Sequence, residues 1–422
     1  MQDDAKPVAN NHEPSIHLYA EHLQNIRTLS IQASLSGLTN QETYAKLSAD
    51  GSLLILQHEG QSASIRLPIS LGHHSDATLT IPAAPTKDLT FRLKVEERIG
   101  EQNVLAVNGV SGDFVVPWMS GDLSTETQIL CAECSTVFLA HGKVSQWKDL
   151  PSEGWAEMME FWHCHKPDDP HDHSRNHGSD VANAGRGFAV NSRLATRAGI
   201  ALLGPLDILL AREDCQHIQT PYNNFYDARN AGVSLALAMP HTTTSRSPQR
   251  TNLECQTCHA VVGILDSVTG GYKLHKPQLA VATSVTTLPM KYPQEQWLSC
   301  LLLATAESQG VRRLLVHNSP TTDSQTQNLV LHIWLFAPDI LMSSSAAKTP
   351  EPKRVARILY RPGGPEELGR LGGMRASEGE LELETKEWLA LGALLKDSAG
   401  LLPETARRLG GWNVGLLGRF TR

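Results

Sequence analysis

Two Cys-x-x-Cys pairs, Cys131 and Cys134 in ETQILCAECSTVFL and Cys255 and Cys258 in LECQTCHAVVG, constrain what this chain can fold into more than any other feature. A CxxC turn lets two sulfurs reach one ion at about 2.3 Å, and a structural zinc site needs four such ligands in a tetrahedron. Each pair lies where a strand ends or begins, after ETQIL in one case and before AVVGIL in the other. A four-thiolate zinc site from Cys131, Cys134, Cys255 and Cys258 would therefore pin two β-hairpins that are far apart in sequence. A local set, Cys131, Cys134, Cys164 and His165, competes with it and would leave Cys255 and Cys258 to a second ion or to none. Reduced cysteines without metal are the third reading. A thioredoxin-like redox pair is disfavoured, because that motif opens a helix after a strand and STVFL continues as strand.

Seven cysteines would suit a disulfide framework only in an oxidising compartment. The start, MQDDAKPVANNHEP, has no basic segment followed by an apolar one, and nowhere do 18 apolar residues run together. The expected location is the cytoplasm or nucleus, with no membrane partner. A net charge of −7, without a stripe of Lys and Arg, argues against direct nucleic-acid binding. Hydrophobic content of 41% over 422 residues is enough for two or three folded domains.

Residues 1–14 are polar and read as a disordered tail. IRTLSIQASL, GSLLILQHEG, SASIRLPIS and LTFRLKVEE alternate apolar and polar residues around breaks such as Asp50-Gly51, so residues 15–125 read as an N-terminal β domain, a sandwich or barrel. Residues 126–290 form a zinc-binding central β region, interrupted by a His-rich loop over 163–180 whose composition favours exposure. From Pro293 the period changes to 3.6: PQEQWLSCLLLATAESQG predicts an amphipathic helix stopped by Gly310. The region 291–422 is thus α+β, with strands VRRLLVHN, NLVLHIWLF and VARILYR. Two final helices are expected, in ELETKEWLALGALLKD and in PETARRLGGW, the terminal stretch that bears Trp412 and, beyond it, Leu416 and Leu417. The fold class is mainly β (α+β), a two-lobed antiparallel β architecture with a zinc-clamped centre and C-terminal helices.

The segment LPSEGWAEMMEFWHCH, with Pro151, Ser152, Trp155, Glu157, Trp162, Cys164 and His165 in the pattern PSxxWxExxxxWxCH, lies between the two CxxC pairs. With them it resembles the HECT-like ubiquitin ligases, described as ubiquitin-conjugating-enzyme-binding proteins. IHLYAEHLQNIRTLSI, LHIWLFAPDILMSSS, VARILYR and LPETARRLGGWNVGLLGRF are similar to fungal members of that family, so the likeness runs from about residue 16 onward. It implies a protein that binds a ubiquitin-conjugating enzyme and promotes ubiquitin transfer to protein substrates. It also implies clients such as a cyclin or the endonuclease of pre-mRNA 3′-end processing, for which a non-catalytic scaffold or chaperone role is the alternative. Genuine HECT ligases carry a catalytic cysteine near the C terminus, in a Thr-Cys-Phe context. This chain has no cysteine after Cys300, so a thioester would need another residue or would not form.

Thioester transfer requires an exposed thiolate of lowered pKa. Cys164, flanked by His163 and His165, is the catalytic candidate, with His165 as its partner. Its place at the far end of the short helix WAEMMEFW counts against it, since the negative pole raises a thiol pKa. Ligation of zinc with His165 and packing beside Trp162 are the competing uses. Trp155 and Trp162 are two turns apart and share a face, which suits core packing. Cys300, in WLSCLLL, reads as core, and Cys215, in REDCQH, as a partly exposed bystander.

Overall fold

The computed structural model describes residues 16–71, 78–95, 115–150, 196–221, 251–319, 329–364 and 377–421. They fall into two compact units, Met1–Val115 with Leu298–Arg422, and Val116–Trp297. The 1–14 tail, the PSxxWxExxxxWxCH segment with Cys164 and His165, and the 163–180 loop lie outside the described residues.

In the first unit the period-two alternation works as the sequence predicts. Along Thr28–Leu35, Leu29, Ile31, Ala33 and Leu35 all turn to one buried face. Ile16–Leu23 pairs antiparallel with this strand on one edge and with Val330–Ser344 on the other, Tyr19 opposite Ser344. The first strands of the chain thus belong to the same nine-stranded sheet as the last ones. A four-stranded sheet holding Tyr44–Leu47 and Leu53–His58 packs Ala45, Leu47, Leu54 and Leu56 against Leu18, Leu29, Ile31 and Leu89. Asp50-Gly51 turns between those two strands, with Gly51 at a φ of 65°.

Two α-helices lie on the C-terminal part of the large sheet: α1, Gln294–Ser308, and α2, Thr385–Ser398. Their Leu298, Leu302, Leu391 and Leu395 bury against Leu314, Val316, Ile333 and Ile358. Gly310, at a φ of 64°, ends α1 as expected, with the Val311 amide returning to the Ala306 carbonyl at 2.9 Å. The second expected terminal helix does not form. Only a single turn at Glu404–Ala406 is helical, and Arg408–Leu409 and Trp412–Gly418 make a hairpin around Gly410 and Gly411. Both glycines have positive φ, 54° and 84°, which suits a two-residue hairpin turn and stops a right-handed helix. Trp412–Gly418 then pairs along Lys353–Gly363, burying Leu416 and Leu417 on opposite faces.

The second unit contains a seven-stranded and a three-stranded sheet. The seven-stranded one includes Ile200–Leu203, Asp207–Leu210, Tyr272–His275, Val261–Leu265 and Asn252–Cys255 in neighbouring order, and the three-stranded one places Gln128–Cys131 between Leu279–Ala282 and Val137–Leu139. Parallel pairing among the described residues is confined to Gln146–Asp149 with Ile200–Leu203 and, in the first unit, Arg313–Asn318 with Glu378–Leu383. The mainly antiparallel β class, with a helix near the C terminus, is the one expected. No described helix is long and apolar enough to cross a membrane.

Candidate metal centre

Each CxxC occupies the turn of a hairpin, and the two turns are built alike. In the first, between Gln128–Cys131 and Val137–Leu139, the Cys131 amide donates to the Thr136 carbonyl at 2.8 Å and the Ser135 amide to the Cys131 carbonyl at 3.0 Å. In the second, between Asn252–Cys255 and Val261–Leu265, the Cys255 amide donates to Ala260 and the His259 amide to Cys255, both at 2.9 Å. The residue after each pair is left-handed: Ser135 at a φ of 61° and His259 at 59°. Neither is glycine, so the surrounding bonds hold a conformation that costs such residues free energy. The residue after each first cysteine is anchored to a carbonyl of another segment, Ala132 to Gln278 and Gln256 to His217, both at 3.0 Å.

The turns bring four sulfurs from two sheets together. All four Sγ atoms lie within 4.8 Å of one another, with Cys131 to Cys258 at 3.6 Å and Cys134 to Cys255 at 3.5 Å. A tetrahedral ion with metal–sulfur bonds near 2.3 Å would set sulfur–sulfur edges of roughly 3.8 Å. The cluster could therefore hold a metal, and four thiolates in a tetrahedron are the donor set chosen by zinc or iron. Of the two ligand sets open in the sequence, the structure assembles Cys131, Cys134, Cys255 and Cys258; Cys164 and His165 of the local set lie outside the described residues.

The thiols differ sharply. Burial pushes Cys131 up to about 12, although the Cys134 and Glu133 amides point at its sulfur. The Thr136 hydroxyl and amide pull Cys134 down to about 6. Thr136 Oγ1 is 3.1 Å from the Cys134 sulfur and 2.8 Å from Thr257 Oγ1, tying one turn to the other. Lys291 Nζ donates to the Ala132 carbonyl at 3.2 Å, bracing the first turn from outside the hairpin. Sequence reasoning missed Thr136, Thr257 and Lys291. The signal for the two threonines was their place, two residues after Cys134 and one before Cys258; nothing in the spacing pointed to Lys291.

The remaining described cysteines are poor nucleophiles. Burial, with Asp214 and Glu213 beside it, pushes Cys215 up to about 12, and Cys300 is buried in α1. A β protein with a four-sulfur clamp and no activated described thiol outside it is the class these features define. A family described as HECT-like ubiquitin-conjugating enzyme (E2)-binding matches residues 21–414, and the chain belongs to that family. The uncharacterized protein YJR141W of Saccharomyces cerevisiae is 23% identical over 409 residues, covering 94% of this chain and 98% of that protein. The uncharacterized protein C1734.10c of Schizosaccharomyces pombe is 22% identical over 325 residues, covering 74% and 79%. No solved structure matches the chain.

Proposed function

We propose that this protein recruits a ubiquitin-conjugating enzyme and promotes transfer of ubiquitin from it to a protein client, with structural zinc in the four-cysteine clamp. Membership of an E2-binding family over residues 21–414 carries the reading. Zinc held by Cys131, Cys134, Cys255 and Cys258 would fix the two hairpins and supply no redox chemistry. The thiol environments support a division of labour: Cys215 and Cys300 are unsuited to attack, four cysteines are gathered in the clamp, and Cys164 with His165 is what remains for a covalent route. In that route the Cys164 thiolate attacks the E2–ubiquitin thioester and the E2 thiol leaves. Without it, the client amine attacks the same thioester directly.

Single-turnover discharge of purified ubiquitin-loaded conjugating enzymes tests the reading. Wild-type protein is expected to speed discharge. A reducible ubiquitin adduct that disappears in Cys164→Ser, with metal content unchanged, identifies the covalent route; equal acceleration by Cys164→Ser identifies direct transfer. Binding of the loaded enzyme without faster discharge would replace transfer with a scaffold role for a client such as a cyclin or the 3′-end processing endonuclease.

A further inference from the structure

After the strand Leu279–Ala282 the chain runs through TSVTTLPMKY before entering α1. This loop is closed by backbone bonds at its foot: the Val281 amide donates to the Met290 carbonyl at 3.0 Å, and the Met290 amide returns to Val281 at 2.9 Å. Within it the Ser284 amide donates to Thr287 Oγ1 at 2.9 Å, and Thr287 Oγ1 donates to the Ser284 carbonyl at 3.0 Å. A loop held this way has a defined shape. Yet Val285, Leu288 and Met290 are 66%, 88% and 55% exposed, while Leu279 and Val281 at its root are buried.

These are three of the eleven exposed large apolar side chains among the described residues, gathered in six positions; no two of the other eight lie within five residues of each other in sequence. Single exposed apolar residues need no explanation, but a clustered set on an ordered loop does. Thr283 to Met290 contains no charged residue, so its complement is an apolar, uncharged surface. The loop is also tied to the metal centre. It leaves the strand that pairs with Gln128–Cys131, and Lys291 at its end binds the Ala132 carbonyl inside the first CxxC turn.

We infer that the Val285–Met290 tip is a docking surface for the ubiquitin-conjugating enzyme, seating Leu288 and Met290 in an apolar patch of that partner. This rests on the E2-binding reading above, and it assigns that binding to the unit that carries the cysteine clamp. The clamp's task is then to hold the tip in place: Lys291 ties the loop to the turn that the sulfurs fix.

The test is titration calorimetry of the full chain against a panel of purified yeast ubiquitin-conjugating enzymes. Leu288→Asp and Met290→Asp should weaken binding roughly thirtyfold, as loss of an interface anchor does. Leu288→Ser gives the same readout with a smaller perturbation, and metal content with thermal unfolding shows that each variant folds. Val268→Asp, at a 74% exposed position outside the tip, should bind like wild type. Wild-type affinity in all three tip variants, or equal weakening in Val268→Asp, overturns the inference while leaving E2 binding intact. A wild-type chain that binds no enzyme of the panel overturns the function reading as well. If sedimentation shows a dimer that Leu288→Asp dissociates with E2 affinity unchanged, the tip joins copies of this chain and the inference is wrong.

Discussion

Thr136 has two tasks at once, a contact to the Cys134 sulfur and a hydrogen bond across to Thr257. Replacing such outer partners of a metal ligand typically costs 10- to 100-fold in affinity. Thr136→Val should therefore bind metal about tenfold more weakly while keeping its stoichiometry, which competition with a colorimetric chelator measures. Cys255→Ser should lose the ion altogether by elemental analysis; retention of a full equivalent would refute the four-cysteine site. A second residue-scale effect lies at Asp207, which accepts from His275 Nδ1 at 2.6 Å and sits 3.2 Å from Lys273 Nζ. Burial alone would raise its carboxyl, but His275 and Lys273 outweigh it and hold the group below the ordinary carboxylate range. A depressed folded-state pKa means stability that is present above the unfolded value and lost as pH falls through the folded one. Asp207→Asn should cost about 1 kcal/mol at neutral pH, allowing for partial exposure, and the gap to wild type in urea melts should close as pH falls below about 4.

Elements were legible where one local pattern decided them. Leu29, Ile31, Ala33 and Leu35 alternate and form a strand, and Trp297, Leu298, Leu301 and Leu302 recur at helical spacing and form α1. The terminal segment carried two patterns. The Pro403 start and the good helix formers of PETARRL favoured a helix, whereas Trp412, Val414 and Leu416 alternate and Gly410-Gly411 turns the chain. Tertiary pairing with Lys353–Gly363 decides for the strand. Gly415 shows how closely that strand lies under α2: a Cβ there would stand 3.0 Å from the Leu395 carbonyl oxygen and 2.8 Å from Leu395 Cδ2. Gly415→Ala must push strand and helix apart, at a cost of about 1 to 3 kcal/mol. The expected readout is a lower denaturant midpoint with an unchanged slope.

At the scale of the whole molecule the two units differ in how the chain builds them. Residues 116–297 are continuous and contain the entire cysteine cluster, so an excised 116–297 fragment should fold and take up one metal ion per chain, and should unfold when a strong chelator removes it. Failure of the fragment to bind metal would show that the clamp needs the rest of the protein. The matched CxxC spacing made the meeting of the two pairs readable, because few other uses of two such pairs exist in a chain of this composition. What the sequence could not show is that Ile16–Leu23 finds its partner in Val330–Ser344, since alternation tells which face of a strand is buried and nothing about which edge it joins. That pairing governs the order of events at the ribosome. Ile16–Leu23 finds Thr28–Leu35 at once, but its other edge must wait for some three hundred residues of further synthesis before Val330–Ser344 exists. The sulfur-bearing unit, complete once residue 297 has emerged, can close around its ion first. Nascent chains should therefore acquire metal before the outer edge of Ile16–Leu23 becomes protected from hydrogen exchange, and a stop codon placed before Val330 would leave Tyr19, whose core neighbours Ile340, Met342 and Val355 come later, open to chaperones.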